Sequence, residues 1–330
     1  MENSIYNSAF LFLGNKLKEL PDSIIYNAQI HNQWFTPDFI KFAATNWGQA
    51  LSEKNLTEWL KNITRSKSPK KVAIIMAGNL PFVGLQDLLC VLVTGNIALV
   101  KLSSQDEVLM KHVIQILIES NKDFENKIKI TERLNDAEAL IATGSNNSAR
   151  YFEYYFRNIP SIIRKNRTSL AVISGNETNE ELEELAGDIY QYFGMGCRNV
   201  SHLLLPRSID LQQLYQALDK YMDLVNHHKF YNNYMYHKAI LLMNLTKHYD
   251  NGFMIFQEKD ELHAPLATLN YHYYDSINDI EQYIDKHKDS IQCVVSNMKE
   301  FNNVIQLGTS QQPNLWDYAD NVNVVDFLLR

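Results

Sequence analysis

The stretch Val72-Ala73-Ile74-Ile75-Met76-Ala77-Gly78-Asn79-Leu80-Pro81 decides how the chain is read. An unbroken apolar run, preceded by the basic segment Lys61 to Lys71 and followed by Gly78, Asn79 and Pro81, reads as a buried strand ending in a tight turn. Helix patterns follow at 84–93 and 106–119, and strand patterns at 97–101, 138–142 and 170–174. Alternation of this kind predicts a parallel sheet covered by helices, hence an α/β fold. Upstream, residues 1–65 read as helical and aromatic-rich, with Thr36-Pro37-Asp38-Phe39-Ile40 opening a helix and Trp47 and Trp59 available for packing. Downstream, Thr178 with Glu181 has capping-box spacing, and Leu182, Leu185, Ala186, Ile189 and Phe193 recur at helical period up to Gly194. Strands are expected at Val200–Leu205, 239–243, 253–256 and 291–295. A polar, aromatic tail from Gln311 closes on the apolar stretch Val324 to Leu329.

Composition removes several function classes. The 330 residues are 45% hydrophobic and 21% charged, enough to bury a core and long enough for two packed domains. Lys+Arg 31 against Asp+Glu 38 leaves a net charge of -7, which argues against a nucleic-acid binder relying on phosphate electrostatics. The longest apolar candidate, Leu88 to Leu99, is broken at Thr94-Gly95-Asn96, so no membrane span is expected. Glu2, with no basic stretch ahead of the patch Ala9 to Leu13, argues against a secretory signal. Cys90, Cys197 and Cys293 are odd in number and widely spaced, giving neither a disulfide framework nor a zinc pattern; a cytoplasmic protein is expected.

Eight of the 12 glycines lie between Gly78 and Gly196, which directs the search for chemistry to the middle of the chain. In Gly194-Met195-Gly196-Cys197-Arg198-Asn199, Cys197 taken alone reads first as a small buried apolar residue. The functional reading is a nucleophile on a helix-to-strand turn, with little bulk beside the sulfur. Arg198 would favour the thiolate there, while the preceding helix C-terminus opposes it. Cys90 and Cys293 lie inside apolar runs and read as packing. Asn79 follows a parallel strand, where α/β sheets bind ligands and where an amide can donate to an oxyanion. Lys101 ends a buried strand before Leu102-Ser103-Ser104, and either reaches solvent or meets a nucleotide. Gly144-Ser145 lies between a strand and a helix, where backbone N–H groups can receive phosphate. A metal site at His227-His228 is disfavoured, because adjacent histidines point apart on a regular element and no partner has ligand spacing.

The order Asn79, Lys101, Gly144-Ser145, Gly196-Cys197, then Glu261-Leu262-His263-Ala264-Pro265-Leu266, resembles the aldehyde dehydrogenase superfamily over about residues 70–300. Tyr273-Tyr274-Asp275-Ser276-Ile277-Asn278-Asp279 is similar to the strand and helix that follow there. Arg164-Lys165-Asn166-Arg167-Thr168-Ser169-Leu170-Ala171-Val172, Gly196-Cys197-Arg198-Asn199-Val200-Ser201 and Leu315-Trp316-Asp317-Tyr318-Ala319-Asp320 are most similar to LuxC-like acyl-CoA reductases. The resemblance implies an aldehyde dehydrogenase-like fold of two Rossmann-like domains with an N-terminal helical segment. The expected divisions are 1–165 for the helices and nucleotide domain, 166–310 for the catalytic domain, and 311–330 for a tail packing back on them. It implies Cys197 and Asn79 as catalytic residues. It also implies Lys101, Ser104, Gly144, Ser145 and Glu261 as cofactor-binding residues, with Glu261 holding the nicotinamide ribose.

Where aldehyde dehydrogenases carry a general-base Glu ahead of the Cys, this sequence has Arg164 or Lys165, and no acidic residue lies from Arg157 to Ser174. A cation cannot take a proton from water at neutral pH, so thioester chemistry is implied in place of hydrolysis. The expected reaction is NAD(P)H-dependent reduction of an acyl thioester, on CoA or an acyl carrier and of fatty type, to an aldehyde through S-acyl-Cys197. The alternatives are acyl-phosphate reduction, aldehyde oxidation, and a silent nucleotide-binding scaffold. Ser104, where NAD-preferring relatives carry Glu, leans the cofactor toward NADPH, with NADH as the other choice. The phosphates of both ligands call for a basic lining, for which Lys101, Arg164, Lys165, Arg167 and Arg198 are the candidates. The chain is shorter than the family's usual length, so surface helices and the strand extension through which many relatives dimerise are expected to be missing, and the oligomeric state is left open.

Overall fold

Four helices precede the first strand in the computed structural model: α1 (Glu2–Lys18), α2 (Asp22–His31), α3 (Pro37–Ala50) and α4 (Glu53–Leu60). The structure describes the backbone of residues 2–301 and 303–330 and the side chains of these from Ile5 onward. Helix α3 begins where the sequence indicates. Thr36 accepts a hydrogen bond from the Phe39 N–H at 3.3 Å, and Pro37 occupies the first turn, where a missing N–H costs nothing.

Residues 1–166 together with 313–330 form one compact unit, and residues 167–312 form a second. The first contains β1 (Lys71–Ile75), α5 (Leu85–Val93), β2 (Ile97–Lys101), α6 (Glu107–Ser120), α7 (Asp123–Lys127), β3 (Ile128–Ile130), β4 (Ala139–Thr143), α8 (Asn146–Tyr155) and β5 (Ser161–Arg164). Its five strands are all parallel, in the order β3-β2-β1-β4-β5. Strand order reverses between β1 and β4, and the crevice at the carboxyl ends of such a pair is where doubly wound sheets take ligands. Ala73, Leu99, Leu140 and Ala142 pack one face of this sheet. The closing segment, ending in α13 (Val324–Leu329), buries Leu315, Val324, Val325 and Leu328 in the same unit.

The second unit contains β6 (Thr168–Val172), α9 (Asn179–Tyr190), β7 (Val200–Pro206), α10 (Leu211–Leu218), α11 (His228–Met243), β8 (Tyr249–Asp250), β9 (Ile255–Glu258), β10 (Thr268–Tyr274), α12 (Ile277–His287) and β11 (Ile291–Val295). The order is β11-β6-β7-β10-β9-β8, with only β8 antiparallel to its neighbour. Helices α9 and α12 both start in complete capping boxes, Thr178 with Glu181 and Ser276 with Asp279. Leu170, Val172 and Leu204 of the sheet pack against Ile280 and Tyr283 of α12 and against Leu262.

Two local expectations fail. Residues 239–243 are not a strand but the last turns of α11, whose ladder continues to the Asn244 N–H on Ile240 O at 3.0 Å. The run Ala239-Ile240-Leu241-Leu242-Met243 is too short for its period to be read, and Leu242 and Met243 are exposed rather than buried. His227 and His228 do not point apart either. His227 is the N-cap of α11, outside the regular helix, and the two rings stack with centroids 5.4 Å apart.

Candidate active site

In the first unit, β1 runs into the turn that carries Asn79, whose side chain is exposed. That turn is held from several directions. Gly78 is buried, and a Cβ there would collide with the Ser103 hydroxyl, so only glycine fits. The Asn32 amide, from the segment after α2, reaches the carbonyls of Gly78 at 3.5 Å and Gln105 at 3.4 Å. Phe82 adopts φ 62, a conformation that strains a non-glycine residue, and its N–H is bound by the Asp106 carboxyl at 2.9 Å. Burial pushes the Asp106 carboxyl well above its ordinary range. On the other side of the strand reversal, β4 ends at Thr143. Gly144 leads to Ser145, the N-cap of α8, whose hydroxyl accepts from the Ser148 N–H at 3.2 Å. Asn79 and Gly144-Ser145 thus follow the two neighbouring strands, β1 and β4, between which the strand order reverses. Lys101 ends β2 and pairs with Glu132 at 2.7 Å, and Ser104 lies exposed just beyond.

In the second unit, α9 ends at Tyr190 and three left-handed residues follow: Tyr192 (φ 55), Phe193 (φ 59) and Gly194 (φ 75). Left-handed backbone costs about 1–2 kcal/mol at each non-glycine residue, so the turn into Cys197 persists only because its surroundings impose it. Tyr192 and Phe193 are buried. Asn199, also buried, accepts from the Gly196 N–H at 2.8 Å, while its amide donates to the carbonyls of Asp188 (3.1 Å), Ile189 (3.3 Å) and Gln191 (2.9 Å). Those carbonyls form the negative end of α9. The Asn199 amide thus caps the negative end of α9 beneath the Cys197 turn. The Ser169 hydroxyl donates to Cys197 O at 3.0 Å, and Arg198 Nε donates to Ser310 O at 2.8 Å. Ser310 and Gly308 are themselves held through their N–H groups by the buried Asp188 carboxylate. The Cys197 side chain is exposed, which removes the reading of it as a buried apolar residue.

The other cysteines behave differently. Cys90 is buried, and burial pushes its thiol far up. Cys293 Sγ lies 2.9 Å from Ser169 Oγ. Since the Ser169 proton is directed at Cys197 O, the Cys293 S–H is the donor, in keeping with a thiol raised by burial.

Glu261 precedes β10, and its exposed carboxylate pairs with Lys259 at 2.8 Å. The Ser201 hydroxyl donates to Leu262 O at 2.8 Å and lies 2.8 Å from Thr168 Oγ1, which reaches Asn199 O at 3.2 Å. A continuous polar path thus joins the Cys197 turn to the Glu261 segment within one unit. Asn79, Lys101, Ser104, Gly144 and Ser145 belong to the other unit.

The five cations expected to line a phosphate site are all engaged. Lys101 pairs with Glu132, Lys165 with Glu153, Arg167 donates to Ile291 O, and Arg198 donates to Ser310 O. Arg164 is ruled out of that lining. It is buried, and its guanidinium binds both oxygens of Asp87 at 2.6 and 2.9 Å and Thr143 Oγ1 at 3.3 Å. That pairing holds Arg164 charged and far from any role as a base. Asn32, Asp106, Asp188 and Asp87 were not marked by the sequence reading. Their signal is a polar residue placed among apolar ones, and that alone does not say what it binds.

Among the described residues, no group of three or more His, Cys, Asp or Glu could hold a metal ion, and no helix is long and apolar enough to cross a membrane. The family model described as acyl-CoA reductase (LuxC) matches residues 49–311. No curated protein matches the chain significantly. Solved structures do match. An aldehyde dehydrogenase from Bacillus cereus, in an NAD+ complex, is 12% identical with TM-score 0.64, covering 91% of this chain and 72% of that one. An NAD-dependent benzaldehyde dehydrogenase from Corynebacterium glutamicum is 10% identical with TM-score 0.66, covering 90% and 77%. An NADP-dependent glyceraldehyde-3-phosphate dehydrogenase from Bacillus halodurans C-125, complexed with NADP, is 12% identical with TM-score 0.65, covering 90% and 74%. At these identities the likeness establishes the fold, which is aldehyde dehydrogenase-like.

Proposed function

The chain belongs to the acyl-CoA reductase (LuxC) family, and from that premise we propose that it reduces an acyl thioester to the aldehyde through an S-acyl intermediate on Cys197. The observation that carries this reading is the exposed Cys197 thiol on a turn whose neighbours are all tied down. A nucleophile held in one geometry avoids the orientational loss that would otherwise slow attack. The Cys197 sulfur adds to the thioester carbonyl, the bond to the CoA sulfur breaks, and the CoA thiolate leaves to take up a proton. The Cys197 N–H and the Asn79 amide are the donors to the oxyanion in this reading. Loss of one such donor costs about 3 kcal/mol in the barrier.

The first unit fits a nicotinamide dinucleotide. Its strand order reverses between β1 and β4, Gly78 lets the turn after β1 pack tightly on Ser103, and Gly144-Ser145 opens a helix N-terminus. Lys101, Ser104, Gly144 and Ser145 would hold the dinucleotide, with Glu261 on the nicotinamide ribose. When bound in reduced form, it supplies the hydride that turns the acyl group into an aldehyde. Arg164, locked on Asp87, offers no base to activate water, which favours reduction of the acyl-cysteine over its hydrolysis in this reading. NADPH is favoured in this reading by Ser104, and a fatty acyl group carried by CoA or a carrier protein is the proposed substrate.

Mass spectrometry after exposure to acyl-CoAs of graded length tests the proposal. An acyl adduct on Cys197 is expected in the intact protein and none in C197A, with the fold retained. Thioester-dependent NADPH consumption by C197A at the full rate would end it.

A further inference from the structure

His202 of β7 and Asn270 of β10 are polar side chains buried within the sheet of the second unit. They are direct neighbours in the sheet register. Burying such groups is costly unless they are hydrogen-bonded, so their partners show what they are for. Both turn to the same loop, between β9 and β10. The Asn270 amide donates to Glu261 O at 2.8 Å and to His263 O at 3.2 Å, and His202 Nδ1 lies 3.0 Å from Glu261 O. Ser201 takes the carbonyl between them, that of Leu262. Three successive backbone carbonyls in a segment without regular structure are thus bound by side chains of the sheet beneath it.

We propose that His202 and Asn270, with Ser201, are positioning residues that hold the Glu261 backbone so that its carboxylate is presented to the nicotinamide ribose; this rests on the role of Glu261 proposed above. Glu261 is fixed at its root, while its carboxylate lies exposed and meets Lys259. The protons of the two histidines follow from their partners. Glu261 O can only accept, so His202 carries its proton on Nδ1 and leaves Nε2 as an acceptor. His202 Nε2 lies 2.8 Å from His272 Nδ1, which must then be the donor. The chain of donors runs His272 to His202 to Glu261 O, and Tyr283 stacks on the His202 ring with centroids 5.0 Å apart. Reversal of either ring would place two donors or two acceptors together, so the network admits one arrangement.

The test is dinucleotide affinity, measured by fluorescence titration with NADPH and NADH for the full-length protein and its variants. N270A and S201A are expected to weaken binding about tenfold and severalfold respectively. N270A should add nothing in an E261A background, because Asn270 acts only through Glu261. H202N keeps a donor where Nδ1 stood and should stay near the unsubstituted protein, whereas H202Q moves the donor to the far end of the ring and should not. If N270A fails to fold, S201A, at a half-buried position, carries the comparison. Acylation of Cys197 by acyl-CoA without dinucleotide should be unchanged in N270A, which a general loosening of the unit would not allow. Unaltered affinity in both variants, or a full N270A effect on top of E261A, overturns the inference. If Cys197 is still acylated in the unsubstituted protein, the proposed reaction survives that outcome; an unsubstituted protein that binds neither dinucleotide removes both.

Discussion

Lys101 and Asn199 show how much one side chain's partner changes its meaning. Lys101, met alone, is a cation suited to a nucleotide phosphate, but Glu132 sits 2.7 Å away. The pair is largely exposed, so its contribution to stability is small. If the proposed dinucleotide site holds, its effect on ligand choice is larger, since a carboxylate there opposes a 2′-phosphate and works against the NADPH preference proposed from Ser104. E132Q is therefore expected to raise the ratio of kcat/KM for NADPH over NADH about tenfold, and an unchanged ratio would remove Lys101 from the adenosine end of the site. Asn199 caps three carbonyls at the end of α9 and holds Gly196. N199A leaves those carbonyls without their donor beneath the Cys197 turn, at a cost of about 1–3 kcal/mol in urea unfolding. Alkylation of Cys197 by iodoacetamide at neutral pH should slow severalfold with it; an unaltered rate would show that the cap has no influence on the sulfur. Neither partner could be foreseen from spacing. Glu132 follows β3 while Lys101 ends β2, and only the pairing of those two strands brings them together.

At the scale of elements, β7 and β10 carry a pH dependence. Burial, aided by neighbouring His272, pushes the His202 pKa down to about 3, so the folded protein keeps the ring neutral where the unfolded chain would protonate it. The groups facing it are His272 of β10, Asp260 of the β9–β10 loop, and Tyr283, Lys286 and His287 of α12. For a histidine with a lowered folded pKa, the contribution is complete above the ordinary value near 6.5 and is lost as pH falls from there toward 3. Between pH 7 and pH 5 the loss from this residue alone amounts to at most about 2 kcal/mol. Urea unfolding at the two pH values should show a smaller acid loss for H202N than for the unsubstituted protein, and identical losses would place the ring in contact with solvent. Elements also mark where local pattern suffices. Strands β1 and β2 and helix α5 coincide with their apolar runs because each is bounded by turn residues and buried on all sides. The end of α11 was misread because a short apolar run has no period of its own, and the helix that includes it is set by an N-cap many residues earlier.

For the molecule as a whole, the last residues return to the first unit. Leu315, Val324, Val325 and Leu328 are buried there, and the carbonyls of Leu315 and Leu328 are bound by Gln86 and Asn96. Each such apolar side chain contributes about 1.5–3 kcal/mol when fully buried. Truncation after Gln312 is expected to lower the melting temperature by several degrees or more and to expose apolar surface, read by calorimetry and dye binding; a truncated protein with an unshifted transition would show that the tail is dispensable. The amino-acid order by itself determined the alternation of strands and helices, the capped start of α9, and the succession Asn79, Lys101, Gly144-Ser145, Cys197 and Glu261, because these depend on neighbours a few residues away or on motifs kept in sequence. Tertiary structure alone decided that Arg164 is spent on Asp87, that Asn199 closes the end of α9 beneath the Cys197 turn, and that His202 and Asn270 grip the Glu261 backbone. The physical reason is that a buried polar group must find a partner wherever the fold brings one, and distance along the chain carries no record of who that partner will be.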